Sequence, residues 1–196
     1  MTLYASVAQV KAALQISDSV DDALITMAAT SASALIEGYC GRRFDTVSAT
    51  KLFIADNNYV LKIDDLISTT AIKSSSQSDG TFDVTWATTD YQLEPLNSEV
   101  EGLAFPFTRI RAIDDYLWPY GSNEADVQIV GSWGFSAVPS QVEQAAVIQA
   151  MRIFKRLDSP LGVAGFGDFG AMRVSKGLDP DVAQLVAPYV KYTGVA

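Results

Sequence analysis

Two pairs of adjacent carboxylates, Asp64-Asp65 and Asp114-Asp115, are the residues of this chain best placed by type and spacing to do chemistry. Neighbouring aspartates can divide into an acid and a base, or share a divalent cation such as Mg²⁺. Both pairs stand at the ends of strand-like runs, where Asp also serves to close turns through its own backbone. A further candidate is Gly165-Phe166-Gly167-Asp168-Phe169-Gly170, which spells GxGxxG. A dinucleotide fingerprint needs a strand before it and a helix opening from it, because the pyrophosphate sits on that helix N-terminus. Here a helical pattern precedes, an irregular stretch follows, and no Walker lysine comes after it. Nucleotide binding is therefore not expected, and Phe166, Phe169 and Met172 read as apolar side chains on a loop that a partner covers. Cys40 lies in an apolar segment and reads as a small core residue. Arg152, Lys155 and Arg156 share one helix face at i, i+3 and i+4, either as a solvated face or as a stripe toward an acidic partner. Arg42 and Arg43 follow Gly41, where they can meet the carbonyl end of the preceding helix.

The chain of 196 residues has no histidine. This removes Ser-His and Cys-His nucleophile pairs, imidazole metal ligands and the usual side chain that titrates near neutrality. A carboxylate enzyme built on Asp64, Asp65, Asp114 or Asp115 stays open as an alternative, but no enzyme, no cofactor and no metal is the expectation. With one cysteine there is no internal disulfide, which suits a reducing compartment. The opening MTLYASVAQVKAAL lacks the basic and apolar regions of a signal peptide, and no run approaches the ~20 apolar residues of a membrane span. A soluble, cytoplasmically made protein with no membrane contact is expected. The net charge of −9 is uneven: residues 1–45 carry −2, residues 46–138 carry −8 and residues 139–196 carry +1. That balance repels phosphate, so specific nucleic-acid binding is not expected.

The elements that must position these residues fall into three segments. Ser6-Val7-Ala8-Gln9 matches a capping box and predicts a short helix over roughly 6–14. A second helix is predicted from near Ser19, with Asp21 and Asp22 in its first turn and a buried stripe of Leu24, Met27, Ser31, Ala34, Leu35 and Gly38. Gly41 is its expected C-cap. From Thr46 the period falls to two, and SATKLFIA, NYVLKI, STTAIKSS, TFDVTWA, DYQLEP, TRIRAI and DVQIVGSW read as short strands separated by turns, Asp64-Asp65 among them. GSWGFSAVP is a strand-to-helix junction. After it, Ser140-Gln141-Val142-Glu143 reads as another capping box, opening a helix lined by Val142, Ala145, Ala146, Gln149, Ile153 and Leu157. The stretch SPLGVAGFGDFGAMRVSKGL is too rich in glycine for regular structure. Asp179-Pro180 opens a last helix as N-cap and N1, with Val182, Leu185, Val186 and Tyr189 on one face and Pro188 to end or kink it. The predicted fold is α+β: a small helical frame of about four helices (1–45 and 139–196), interrupted at 46–138 by an antiparallel β insertion, a barrel or a sandwich.

The order of these features resembles the head-to-tail connector (adaptor, or head completion) proteins of tailed bacteriophages. The resemblance is carried by YASVAQVKAALQISDSVDDALITMAATSASALIEGYCGRRF, by DYQLEP, by VQIVGSWGFSAVPSQVEQAAVIQAMRIFKRLDSPLGVAGFG and by RVSKGLDPDVAQLVAPYV. Together these make up the helical frame, and the longer β segment departs from the smallest members of that family. The resemblance implies a structural virion protein, assembled in the host cytoplasm and placed at the neck. There a ring of about twelve copies would lie between portal and stopper or tail, with DNA passing through without specific binding. A tail-completion or other virion structural protein is the nearest alternative. Carried over, the resemblance places portal and ring contacts on the loop and the C-terminal segment. The residues concerned are Gly162, Gly165, Phe166, Gly167, Phe169, Met172 and Arg173 in the loop, and Val182, Leu185, Tyr189 and Tyr192 beyond it. Arg152, Lys155 and Arg156 are a further charged candidate.

Overall fold

In a computed structural model, residues 2–100, 102–122, 124–156, 163–165, 171–173 and 178–191 are described. The contacts divide the chain into two compact units, Met1–Arg43 with Val138–Ala196 and Phe44–Ala137.

In the first unit, α1 (Val7–Leu14) starts where the sequence predicts it, with both halves of the capping box made. The Gln9 N–H donates to Ser6 Oγ at 3.2 Å, and the Ser6 N–H donates to Gln9 Oε1 at 2.7 Å. Helix α2 (Asp22–Cys40) has Asp21 as its N-cap, so it begins later than Ser19. It ends at Gly41, whose φ of 64° is left-handed and whose N–H returns to the Glu37 carbonyl. The face that α2 buries is not the predicted one. Ile25, Ala28, Ala29, Ala32, Ser33, Ile36 and Cys40 are buried, whereas Leu24, Met27 and Leu35 are exposed, as are Ser31, Ala34 and Gly38. Both faces of the helix are apolar. The alanine face goes inward because its short side chains let α3 (Ser140–Arg156), which packs against α2, approach closely.

Helix α3 makes its first helical hydrogen bond from the Glu143 N–H to the Pro139 carbonyl, one residue before the predicted Ser140 cap. Val142, Ala145, Ala146, Gln149 and Ala150 are buried; Ile153 is half-buried, and Leu157 lies outside the described residues. Helix α4 (Pro180–Val186) opens on Asp179, whose carboxylate accepts from the Asp181 N–H at 3.0 Å, and a 3₁₀ turn at Ala187–Tyr189 carries Pro188. The glycine-rich stretch is not wholly irregular. It contains β9 (Val163–Gly165) and β10 (Ala171–Arg173), an antiparallel pair; these take the labels that follow the eight strands of the second unit.

That second unit holds β1 (Thr46–Phe53), β2 (Val60–Ser74), β3 (Val84–Trp86), β4 (Tyr91–Glu94), β7 (Phe107–Ala112) and β8 (Val127–Gly134) in one antiparallel sheet, ordered β1-β8-β2-β7-β4 with β3 beside β2. A hairpin of β5 (Glu99–Val100) and β6 (Leu103–Ala104) stands apart from it. The sheet is open, with β1 and β4 at its ends, so the barrel alternative is not realised. Two predicted strands, NYVLKI and STTAIKSS, are one strand, β2. Asp64-Asp65 is no chain reversal but an irregularity, where the register with β7 shifts between Lys62 and Leu66.

The core of this unit is aromatic. Trp118, in the loop between β7 and β8, is fully buried and stacks on Trp86 at 3.9 Å between ring centroids. Trp133 donates its Nε1–H to the Ala49 carbonyl at 2.9 Å and packs against Phe53. Gly131 is needed for a close approach: a Cβ there would sit 2.4 Å from the Ser68 carbonyl oxygen on β2.

Candidate functional site

The carboxylate pairs do not form a reactive centre. Asp64 and Asp65 are consecutive residues of β2, so their side chains leave opposite faces of the sheet. Asp64 is exposed and pairs with Lys51 at 2.8 Å, while Asp65 is buried. Asp114 takes a left-handed turn conformation with φ 54°, and Asp115 is exposed beside it. Among the described residues no cluster of three or more His, Cys, Asp or Glu could hold a metal ion. Cys40 is buried, and burial pushes its thiol up to about 11, so it carries little nucleophilic thiolate near neutrality.

The charged stripe on α3 has mixed placement. Arg152 forms an ion pair with Asp179 and lies 3.7 Å from Asp181, both at the start of α4, so an acidic partner is supplied from within the same unit. Lys155 is exposed, and Arg156 is half-buried. Of the C-terminal candidates, Val182 and Tyr189 are buried in the core of the helical unit and Leu185 is half-buried. The segment is tied down by its backbone as well. The Asp179 N–H donates to Gln149 Oε1 at 3.3 Å, and the Lys191 N–H donates to the Cys40 carbonyl at 2.8 Å. Gly165, Met172 and Arg173 lie on the β9–β10 pair. Gly162, Phe166, Gly167, Phe169 and Tyr192 lie outside the described residues.

One surface was assigned to the wrong side of its helix by the sequence pattern. Leu24, Met27, Leu35 and Tyr39 run along the outside of α2, with exposures of 42%, 67%, 42% and 45%, and Val20, just before the helix, is 85% exposed. Helix α2 has a mean hydropathy of 1.2 over its most apolar 18-residue window, high enough for a membrane span by composition and length, yet only 39% of that window is buried. The signal was present in the sequence: apolar residues recur on two faces of the helix, and only one face can turn inward.

The geometry defines a class: an α+β protein whose described candidate contacts, the buried Val182 and Tyr189 aside, lie on surfaces. The comparisons with known proteins give that class a family resemblance. Residues 4–88, which span α1, α2 and β1 to β3, match the model of the phage gp6-like head-tail connector protein family. No curated protein matches the chain significantly. Among solved structures, the chain is similar to one in the neck of an empty gene transfer agent particle computed with C6 symmetry. It shares 16% identity with that chain at a TM-score of 0.59, over 97% of this chain and 91% of the other. The neck of a native gene transfer agent particle computed with C12 symmetry gives 18% identity and a TM-score of 0.57, over 97% and 90%. At these identities the likeness establishes the fold, and it spans both units. The resemblance to phage head-tail connectors is thus found by the family model as well, and family and fold together support a structural neck-connector role.

Proposed function

We propose that this protein is a structural head-to-tail connector. Copies of it form a ring at the neck of a phage-like particle, between the portal and the stopper or tail, and DNA passes through the opening. The observation that carries this reading is the coincidence of two likenesses. The connector-family match covers residues 4–88, and the fold likeness to chains of particle necks covers 97% of the chain. The C6 and C12 symmetries of those necks support a cyclic arrangement of about twelve copies. The reading needs no catalytic group. An acidic surface keeps DNA sliding rather than bound, because phosphate is repelled along the passage.

Within this reading, Gly162, Gly165, Phe166, Gly167, Phe169, Met172, Arg173 and Tyr192 form the contact with the portal. Arg152, Lys155, Arg156 and Leu185 are further candidates on α3 and α4 for contact with the portal or a neighbouring copy. Val182 and Tyr189 act from the core by holding α4 in place. The test is to mix the purified protein with portal rings of the same particle and follow complex mass by light scattering and negative-stain imaging. Rings on the portal, lost in a Phe166→Ser/Phe169→Ser variant that melts like wild type, are the expected result. Truncation after Gly177 is a poorer test, since it removes the buried Val182, Val186 and Tyr189. No binding by the wild-type protein at any concentration would defeat the reading.

A further inference from the structure

The outer stripe of α2 runs from Leu24 to Tyr39, a length of about 22 Å at the helical rise, and the exposed Val20 stands just before the helix. A strip that long and about 10 Å wide reaches the few hundred Å² at which an exposed apolar patch marks an interface. Its large side chains, Leu24, Met27, Leu35 and Tyr39, are interspersed with the exposed small residues Ser31, Ala34 and Gly38, which leave room for a neighbour's backbone to come close. Helix α2 has no Lys or Arg, and both of its acids are engaged inside the unit. Asp22 pairs with Lys11 at 2.6 Å, and Glu37 accepts from the Tyr4 hydroxyl. At its C-terminal end the stripe meets a shallow groove of about 390 Å³ lined by Ala34, Glu37, Gly38, Gly41, Arg42 and Arg43.

We infer that this stripe is the surface on which a second copy of the same chain packs, which rests on the ring reading above and names the face that builds the ring. Charge selects the occupant. The helical unit, Met1–Arg43 with Val138–Ala196, holds nine basic and nine acidic residues and is neutral. The β unit, Phe44–Ala137, holds five basic and fourteen acidic residues and carries all of the −9. Identical copies repel one another through their β units and meet at least cost through the neutral unit, above all through a face with no charge. The same face is unsuited to the DNA passage, whose wall must stay hydrated.

A cyclic contact is heterologous, so a second, different face is required. The outward side of α3 supplies it, because the buried stripe of α2 packs on α3 and the outer stripe therefore looks away from it. There Gln144 and Lys155 are exposed, and Ile148 and Met151 are half-buried. Lys155 on this face complements Asp18 and Asp21 at the start of the neighbour's α2.

The test is assembly on purified portal rings by wild type and by a Met27→Glu/Leu35→Glu variant, with thermal melting of each. The wild-type arm decides the connector reading, and the variant arm decides this inference. The expected result is a variant that melts like wild type but needs at least about tenfold more protein to form rings. Rings formed at the wild-type concentration would overturn the inference and leave the connector reading standing. Absence of rings in the wild type would end both. If the variant misfolds, Met27→Ser/Leu35→Ser is measured instead, with the same two outcomes. Binding of the wild type to phosphatidylcholine vesicles, lost in the variant, would also overturn it in favour of a lipid surface. For the second face, Lys155→Glu is expected to weaken assembly and Asp18→Lys combined with it to restore assembly; no restoration would remove α3 from the contact.

Discussion

The two units of this chain solve opposite problems. The β unit carries the entire net charge and closes its interior with large rings: Trp86, Trp118 and Trp133 all lie in its core cluster. The helical unit is neutral and buries alanines alongside Ile25, Ile36 and Tyr189, and it leaves Leu24, Met27, Leu35 and Tyr39 exposed on α2. Charge spread over a unit with a complete core gives solubility and repulsion. The β unit also exposes apolar side chains, Leu52, Ile54, Leu96 and Tyr120 among them, but within a strongly acidic unit. On α2, Leu24, Met27, Leu35 and Tyr39 share one uncharged face, which lowers the cost of association. The division also offers separate readouts, because every tryptophan reports on the β unit and the long helices report on the other.

The largest effect is expected from Trp118→Ala. Trp118 is fully buried and stacked on Trp86, so truncation removes one of the largest side chains of the β core and leaves a cavity. A loss of about 4 kcal/mol in the tryptophan-fluorescence transition is expected, with little change in the helical circular dichroism transition. Both transitions falling together would show that the two units are one cooperative body and would break the comparison.

Cys40 tests the helical interior in the same way. Burial raises its thiol from 9.0 to about 11, so at a pH below the ordinary value the thiolate is scarcer by about a hundredfold than in an exposed cysteine. Alkylation by iodoacetamide near pH 8 is expected to be slower by at least about that factor, and to reach the rate of a free thiol once the helical transition is passed. Rapid alkylation of the folded protein would mean that the alanine-lined interior is open.

A smaller effect is expected at the start of α4. Asp179 caps the helix through the Asp181 N–H and pairs with Arg152, and its side chain is nearly buried. Asp179→Ala removes both interactions, at a cost of about 2 kcal/mol in the helical transition. Asp179→Asn, which keeps a capping oxygen, is expected to recover part of that loss. Equal losses in the two variants would assign the whole effect to the ion pair.

Much of this arrangement was legible in the sequence, and the exceptions have physical causes. Caps are local, so Ser6-Gln9, Gly41 and Asp179-Pro180 were read correctly from a few residues each. Strand periodicity was equally local: SATKLFIA, TFDVTWA, DYQLEP, TRIRAI and DVQIVGSW each overlap a strand of the sheet. Asp64-Asp65 misled because two adjacent acids favour a turn, whereas β2 accommodates them by pointing one outward to Lys51 and absorbing the other at a register shift. The buried face of α2 was misread because helical periodicity marks both of its faces as apolar. The choice between them depends on how closely α3 can approach, which is a tertiary fact. The same fact hid the exposed stripe: with Leu24, Met27 and Leu35 counted as core, the apolar face left outside would have been that of Ile25, Ala28 and Ile36. For the candidate contacts, spacing identified residue types, but Val182 and Tyr189 turned inward because α4 uses its apolar face to complete the helical core.

The smallest effect separates surface charge from structural charge within the β unit. Glu94 on β4 stands between Arg111, whose Nε donates to it at 2.7 Å, and Arg109, opposite it in register at 3.7 Å. The hydrogen bond from Arg111, with the two cationic charges adding to it, holds the Glu94 carboxyl below its ordinary value of 4.5. A carboxyl lowered on folding stabilises the folded state above its ordinary value, and that contribution is lost as the pH falls through the lower folded value. Melting of wild type and Glu94→Gln between about pH 6 and pH 3 should therefore give curves that differ at the upper end and converge at the lower. The difference is expected to be modest, because both arginines are partly exposed and the pair is screened. A gap that persists undiminished at the acid end would mean that Glu94 stabilises the sheet edge by packing. The ion pairs of Glu94 with Arg111 and Arg109 would then contribute nothing measurable to the fold.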